Sequence, residues 1–312
     1  MTSHLSQLLT RSRAGLAPAY RGLRRRLAQL DRALDRRTLS LSELAKLLEA
    51  LGVASGATVL LHTSMENIGR RVPDMKPVTL IRLLQELLGE GGTLLMPTFP
   101  FRGRQRDYAD RCDSFDVRRT PSQAGLVTEV FRRMPGVVRS LHPTHPIAGW
   151  GTHARDLLTA HHLGTTFGPD SPMYKLGQRG GLVVGLGTRP RDTFTILHVP
   201  EELHPATRAW AFDEQPRVMT IVDGARRIPY RFHVLRTAAE RDRFERDLLK
   251  ALRKEGVVKC FIEGGLPGSR ARADEMIERG LQLIDGFSRR FDRASVELTS
   301  GGVLNTVSVH PD

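Results

Sequence analysis

The residue best equipped for chemistry in this chain is His198. It closes the run Thr193-Phe194-Thr195-Ile196-Leu197-His198 and is followed at the third and fourth positions by Glu201 and Glu202. An imidazole titrating near neutrality takes up and returns a proton, and a carboxylate beside it fixes the tautomer and stabilises the imidazolium. Other polar segments stand where apolar runs end. These are His62-Thr63-Ser64, Pro97-Thr98-Phe99, a two-proline loop at 139–146, and Asp170-Ser171-Pro172. In open α/β sheets, ligands bind beyond the carboxyl ends of the strands, so these segments are candidates to line one crevice. Ser64 and Ser171 do not read as nucleophiles, because no G-x-S-x-G elbow surrounds either. The glycines at 89–92 read as a helix stop, since the phosphate-binding G-x-x-x-x-G-K-S/T pattern is absent. His142 and His145 have the spacing of a metal pair, with His161-His162 further on. No nearby carboxylate or thiol completes a set, so no metal is expected.

The elements that must position these residues appear as apolar runs alternating with helices. Residues 58–61 read as a buried strand. Pro77 opens an amphipathic helix (Val78, Leu80, Ile81, Leu84, Leu87, Leu88) that stops at Gly89, and 93–96 is the next strand. Strand, helix, glycine stop and strand make a βαβ unit, hence parallel pairing. Further on, 125–134 reads as a helix and 181–187 as a buried strand. Residues 217–222 and 226–234 read as a hairpin about a type I′ turn at Asp223-Gly224. Two helices are expected at 237–254 and 270–287, joined by a loop at 264–268. Near the N-terminus, Ser42 reads as the cap of a short helix through Leu51, with Gly52 as its stop. Residues 4–37 read as an Arg-rich helix carrying a leucine stripe. The expected fold is α/β, with a mixed, largely parallel central sheet flanked by helices, plus the hairpin and the C-terminal helices. It divides into an Arg-rich helical extension at 1–45 and a single α/β domain at 46–312.

With 312 residues the chain is long enough for a sizeable core, and at 40% hydrophobic and 26% charged it has an ordinary globular composition. No apolar run approaches the roughly 18 residues of a membrane-spanning helix, and no signal peptide is evident. Cys112 and Cys260 are far apart, which excludes a disulfide framework and suits the cytoplasm. The net charge is +13, of which +7 falls in residues 1–40. A basic protein favours anionic partners, although an arginine-rich composition alone produces such a bias.

The order and spacing of the polar segments resemble the aminoglycoside 3-N-acetyltransferase family over roughly residues 50–205. The matching pieces are His62-Thr63-Ser64-Met65…Gly69, Gly92-Thr93-Leu94-Leu95-Met96-Pro97-Thr98-Phe99, Phe115-Asp116…Thr120-Pro121…Gly125 and Glu129-Val130-Phe131-Arg132…Arg139-Ser140…His142-Pro143. Gly168…Ser171-Pro172 and Thr195-Ile196-Leu197-His198…Glu201 follow in the same order. The resemblance implies an α/β acetyltransferase that uses acetyl-CoA as co-substrate, without a metal, on a small-molecule amine. It makes His198 the catalytic base, oriented by Glu201 or by Glu129. By the same resemblance His62, Thr63, Ser64, Met96, Pro97, Thr98 and Phe99 line the pantetheine arm and His142 and Ser171 complete the donor site, while Arg139 or other basic side chains are the candidates to hold the CoA phosphates, where charge-assisted bonds are strongest. The sequence departs from the family in His198-Val199-Pro200-Glu201, where His-His-Ala-Glu is common, and at Pro146, where many members have Ser. Pro200 is expected to hold Val199 extended.

An acceptor that is a polycation calls for an acidic pocket, and the net charge points the other way, toward an amino sugar or another biosynthetic amine. Local acidic groups (Asp107, Asp110, Asp113, Asp116; Glu201, Glu202) offer a counterweight. Two other readings stay open: a biosynthetic acyltransferase with a different acyl group or amine, and a non-catalytic protein binding nucleic acid or a membrane surface through its basic first helix. Low aromatic content, 6%, and the absence of a recognition motif weigh against nucleic acid. The leucine stripe of the first helix would permit a homodimer.

Overall fold

The computed structural model describes residues 37–236 and 239–300. The helix expected over 4–37 lies outside them, save Arg37. Ten strands are described: β1 (Thr58–Thr63), β2 (Thr93–Pro97), β3 (Ser114–Asp116), β4 (Val138–Arg139), β5 (Ile147–Gly151), β6 (Leu182–Leu186), β7 (Arg217–Asp223), β8 (Arg226–Phe232), β9 (Lys259–Glu263) and β10 (Leu266–Arg272). The helices are α1 (Leu41–Ala50), α2 (Met65–Gly69), α3 (Pro77–Leu88), α4 (Gln105–Ala109), α5 (Leu126–Phe131), α6 (Ala154–Leu158), α7 (Pro172–Gln178), α8 (Pro190–Thr193), α9 (His198–Leu203), α10 (Pro205–Ala211), α11 (Ala239–Lys254) and α12 (Ala273–Ser300).

Seven strands form one mixed sheet in the order β4-β5-β2-β1-β6-β10-β9. Its centre is parallel, β1 pairing with β2 and with β6, and both flanks are antiparallel. The central strands are apolar throughout because both faces are covered, as parallel sheets require. Alternate residues therefore serve different cores. Leu60, Leu95 and Val183 face one cluster, formed with α6, α7, α11 and α12. Val59, Leu61, Leu94, Met96 and Val184 face the other, against α1, α3 and α5. A three-stranded sheet, β3-β7-β8, packs its own small cluster around Phe115, Ile221 and Tyr230.

Several boundaries differ from expectation for identifiable reasons. Ser40, not Ser42, caps α1, in a reciprocal capping box with Glu43. Leu39 and Leu44 are already buried in the main core, so packing begins ahead of residue 46. The β7–β8 hairpin turns at Gly224-Ala225, because Asp223 and Arg226 still pair. Gly224 has φ +61° while Ala225 does not have positive φ, so the turn is not type I′. The loop expected at 264–268 is instead the turn and start of a second hairpin, β9–β10, with Gly264 and Gly265 both at positive φ. Pro267 and Gly268 weaken the strand signal there, yet β10 pairs with β6 through five residues and extends the main sheet.

Gly151 ends β5 at φ +100°, and a Cβ at that position would sit 2.2 Å from the Gly92 carbonyl oxygen. Gly151→Ala is therefore expected to lower stability by about 2–4 kcal/mol, through backbone strain and a backbone clash with little room to relax. Urea unfolding of the two proteins checks this, and a loss below about 1 kcal/mol would contradict the geometry.

Candidate active site

His198 is brought to the carboxyl end of the parallel strands by the connection after β6. Gly185 lacks a side chain where Thr188 and Thr193 close in; a Cβ there would lie 2.4 Å from Thr193 Oγ1 and 2.6 Å from Thr188 Oγ1. Those two hydroxyls are 2.7 Å apart, and Thr193 also donates to the Arg189 carbonyl, which ties the loop into one compact turn. A 3-10 turn at Thr195–Leu197 then runs directly into α9, whose first residue is His198. Val199 is helical, not extended as Pro200 led one to expect. Pro200 lies in the first turn, where a backbone donor has no helical acceptor to lose. Its ring packs over Gly280 of α12, where an added Cβ would lie 2.8 Å from Pro200 Cγ.

On α9 the i, i+3 spacing puts His198 and Glu201 on one face. Glu201 is fully buried, and its Oε2 lies 2.8 Å from His198 Nδ1. An ionised carboxylate only accepts, so Nδ1 carries the proton and Nε2 is the atom left for proton transfer. A second carboxylate, Glu245 on α11, has Oε1 3.2 Å from the same Nδ1. Phe167 covers the imidazole with its ring centroid 4.9 Å away. The histidine opens onto a small cavity of about 240 Å³ whose charged lining is Asp192, Asp242 and Glu245 against Arg191 and Arg246. His198, Glu201 and Glu245 place ligand-capable atoms within 4.8 Å of one another. An imidazole hydrogen-bonded to a buried carboxylate can also take up and return a proton.

Glu129, the other candidate partner of His198, is engaged elsewhere. It accepts from Arg132 at 2.6 Å and from the Ser122 amide, and pairs with Arg133. Arg132 and that amide together hold its carboxyl below the usual range against the effect of burial. Neither sequence spacing nor motif pointed to Glu245, which comes from a helix beyond the hairpin.

Ser64 and Ser171 cap α2 and α7, accepting from the Asn67 and Tyr174 amides. Met96, Pro97 and Thr98 are buried, and the Thr98 hydroxyl donates to the Pro146 carbonyl at 2.9 Å. Arg139 grips Thr98 Oγ1 and the carbonyls of Thr98, Val117 and Thr120, with its guanidinium 4.7 Å above the Phe115 ring. These contacts make Arg139 a strut between loops. His142 is fully buried; its Nδ1 accepts the Thr144 and His145 amides. His62, at the end of β1, has Nε2 3.5 Å from the Thr195 hydroxyl, which links it to the turn before His198. Thr63 and Phe99 are half-buried at the strand ends, and Phe99 meets His145 edge-on at 4.8 Å.

Residues 60–279 match the family model described as aminoglycoside 3-N-acetyltransferase. The chain is 35% identical over 206 residues to aminoglycoside N(3)-acetyltransferase VII of Streptomyces paromomycinus, which covers 62% of this chain and 69% of that protein. The crystal structure of aminoglycoside acetyltransferase AAC(3)-Xa superposes with TM-score 0.67 at 28% identity, covering 82% of this chain and 95% of the other. The structure of AAC-IIIb in a binary complex with CoASH has the same fold, with TM-score 0.66 at 24% identity over 80% of this chain and 97% of that one. The chain belongs to the aminoglycoside 3-N-acetyltransferase family. It is an N-acetyltransferase, and the family match runs well past residue 205, through both hairpins and into α12.

Proposed function

We propose that the protein transfers the acetyl group of acetyl-CoA directly to an amine of an aminoglycoside-class acceptor, with His198 as general base and Glu201 orienting it. The observation that carries this reading is the 2.8 Å contact between Nδ1 and a fully buried carboxylate, at the mouth of a cavity with further acidic groups. The amine nitrogen attacks the thioester carbonyl carbon, the C–N bond forms and the C–S bond breaks. The proton shed by the amine goes to His198 Nε2, and the imidazolium passes it to the leaving thiolate, which departs as CoA thiol and restores the base. Glu201 stabilises the imidazolium while it exists. The relative that holds CoASH supports acetyl-CoA as donor, and two free cysteines and use of acetyl-CoA suit the cytoplasm.

The local lining supports a cationic acceptor better than the net charge of +13 suggests. Field within a cleft is set by the groups that line it, and here Asp192, Asp242 and Glu245 face Arg191 and Arg246. Glu245 borders both the base and the cavity, so an ammonium of a bound acceptor can reach it. Glu245→Gln is expected to raise KM for a multiply charged acceptor about tenfold to a hundredfold, the range for one charge-assisted hydrogen bond. Its kcat should stay within about threefold. An equal fall in kcat with unchanged KM would place Glu245 in the proton transfer instead.

The reading as a whole is tested by following free thiol from acetyl-CoA with a panel of aminoglycosides, amino sugars and polyamines. Thiol release that depends on an aminoglycoside supports it. Release only with simple amino sugars would move the acceptor class, and no release together with no CoA binding by calorimetry would overturn the reading.

A further inference from the structure

Far from His198, a second cleft of about 770 Å³ lies along the edge strand β4, between α5, α6 and the turn of the β7–β8 hairpin. Six arginines line it, Arg118, Arg132, Arg133, Arg139, Arg155 and Arg226, of which Arg132 and Arg139 are held by partners of their own, with Asp223 as the one lining carboxylate. Asp223 is paired with Arg226, and Glu129, behind the wall, pairs with Arg132 and Arg133. Arg118 and Arg155 are exposed and have no ion pair among the described residues. Asp116 also acts on Arg139, so three carboxylates answer six cations around this concavity. Such crowding of like charge raises the free energy of the fold unless an anion is bound. Burial first, and Arg132 next, pull the Arg139 guanidinium down to about 9, while Glu129 and Asp116 oppose the shift.

We infer that this cleft binds a small phosphorylated, non-aromatic molecule, with a sugar phosphate the chemistry that fits. Guanidinium forks match phosphate oxygens in bidentate fashion. The uncharged walls are aliphatic (Val117, Val137, Val138, Leu141, Leu158) apart from Thr159, and contain no aromatic ring on which a nucleobase would stack. The arginines gather in a hollow where a polymer would need a stripe. The site is separate from the acetyl-transfer centre, because β5 and β2 stand between β4 and β1 in the sheet. Three inter-strand spacings amount to about 14 Å.

The test is calorimetric titration of the whole chain at fixed ionic strength with glucose 6-phosphate, inorganic phosphate, CoA and a uridylate 20-mer. Glucose 6-phosphate is expected to bind with Kd below about 1 mM. The double substitution Arg118→Ala/Arg155→Ala should weaken it by at least about tenfold while acetyl transfer and Tm stay at their original values. Equal affinity for inorganic phosphate, tighter binding of the uridylate, or binding unchanged in the double variant would each overturn the inference. Displacement of glucose 6-phosphate by CoA would assign the cleft to the donor and overturn it as well.

Discussion

His198→Ala is expected to lower kcat/KM for acetyl transfer by about 10²–10⁴-fold, the usual contribution of a positioned general base. The fold should survive the change. The imidazole is half-buried at the end of a loop, and its ring contact is with Phe167. CoA binding should be retained, which separates loss of the base from loss of the donor site. The sharper test is Glu201→Gln. The amide keeps the shape of the buried carboxylate but removes the charge that stabilises the imidazolium, so kcat should fall by about 10-fold to 100-fold, with the pH profile altered. If the two residues act as a unit, the double variant is no worse than His198→Ala alone. Multiplicative losses would mean that Glu201 acts through something other than His198. A His198→Ala enzyme with near-normal turnover would remove the histidine from the mechanism altogether.

The second large effect is on stability. Three of the buried histidines, His62, His142 and His161, are held neutral. Burial lowers His62 to about 4 and His161 to about 3, and burial with the neighbouring His161 and His145 takes His142 well below its ordinary value. The hydrogen bonds explain why they resist protonation. His142 Nδ1 accepts two backbone amides, and His161 donates Nε2–H to the Thr166 carbonyl while accepting the Ser140 hydroxyl at Nδ1. A proton on either acceptor nitrogen breaks the loop that these rings organise.

In the unfolded chain each ring titrates near 6.5. Between 6.5 and the depressed folded values the unfolded state binds more protons, so stability rises with pH there. This contribution is fully present above about pH 7 and is lost as pH falls toward 4. Each ring accounts for roughly 1 kcal/mol between pH 6 and pH 5, and the three together for about 3 kcal/mol. That is a large share of the roughly 5–15 kcal/mol that holds a domain folded. Burial raises Glu202, which works in the opposite direction and offsets part of the loss. Urea midpoints at pH 8, 7, 6 and 5 measure the slope, and His161→Gln should flatten it by about a third. A midpoint that does not move between pH 7 and pH 5 would show that these rings charge in the folded state.

The acidic lining of the cavity has a bearing on how composition should be read. A net charge of +13 argued against a polycationic acceptor, yet the groups facing the cavity at His198 are more acidic than basic. Net charge describes solubility and long-range steering, whereas a pocket responds to the charges within a few ångströms of it.

The amino-acid sequence by itself determined the central strands, the helix after β1 and the position of His198 at the carboxyl end of the sheet. These features rest on local periodicity, on glycine and proline stops, and on a collinear motif set. It put Glu201 three residues after His198, but only the helical course of Val199 and Pro200 in α9 brings the two onto one face. Tertiary structure alone decided the rest. Only packing could choose Glu201 over Glu129, seat Glu245 of α11 beside the same nitrogen, and turn Arg139 into a strut between loops. Only pairing with β6 makes a strand of 266–272, where proline and glycine erase the local signal. The physical reason is the same in each case. A side chain's role is set by the partners that folding brings within about 3 Å, and sequence spacing specifies those partners only inside a single element.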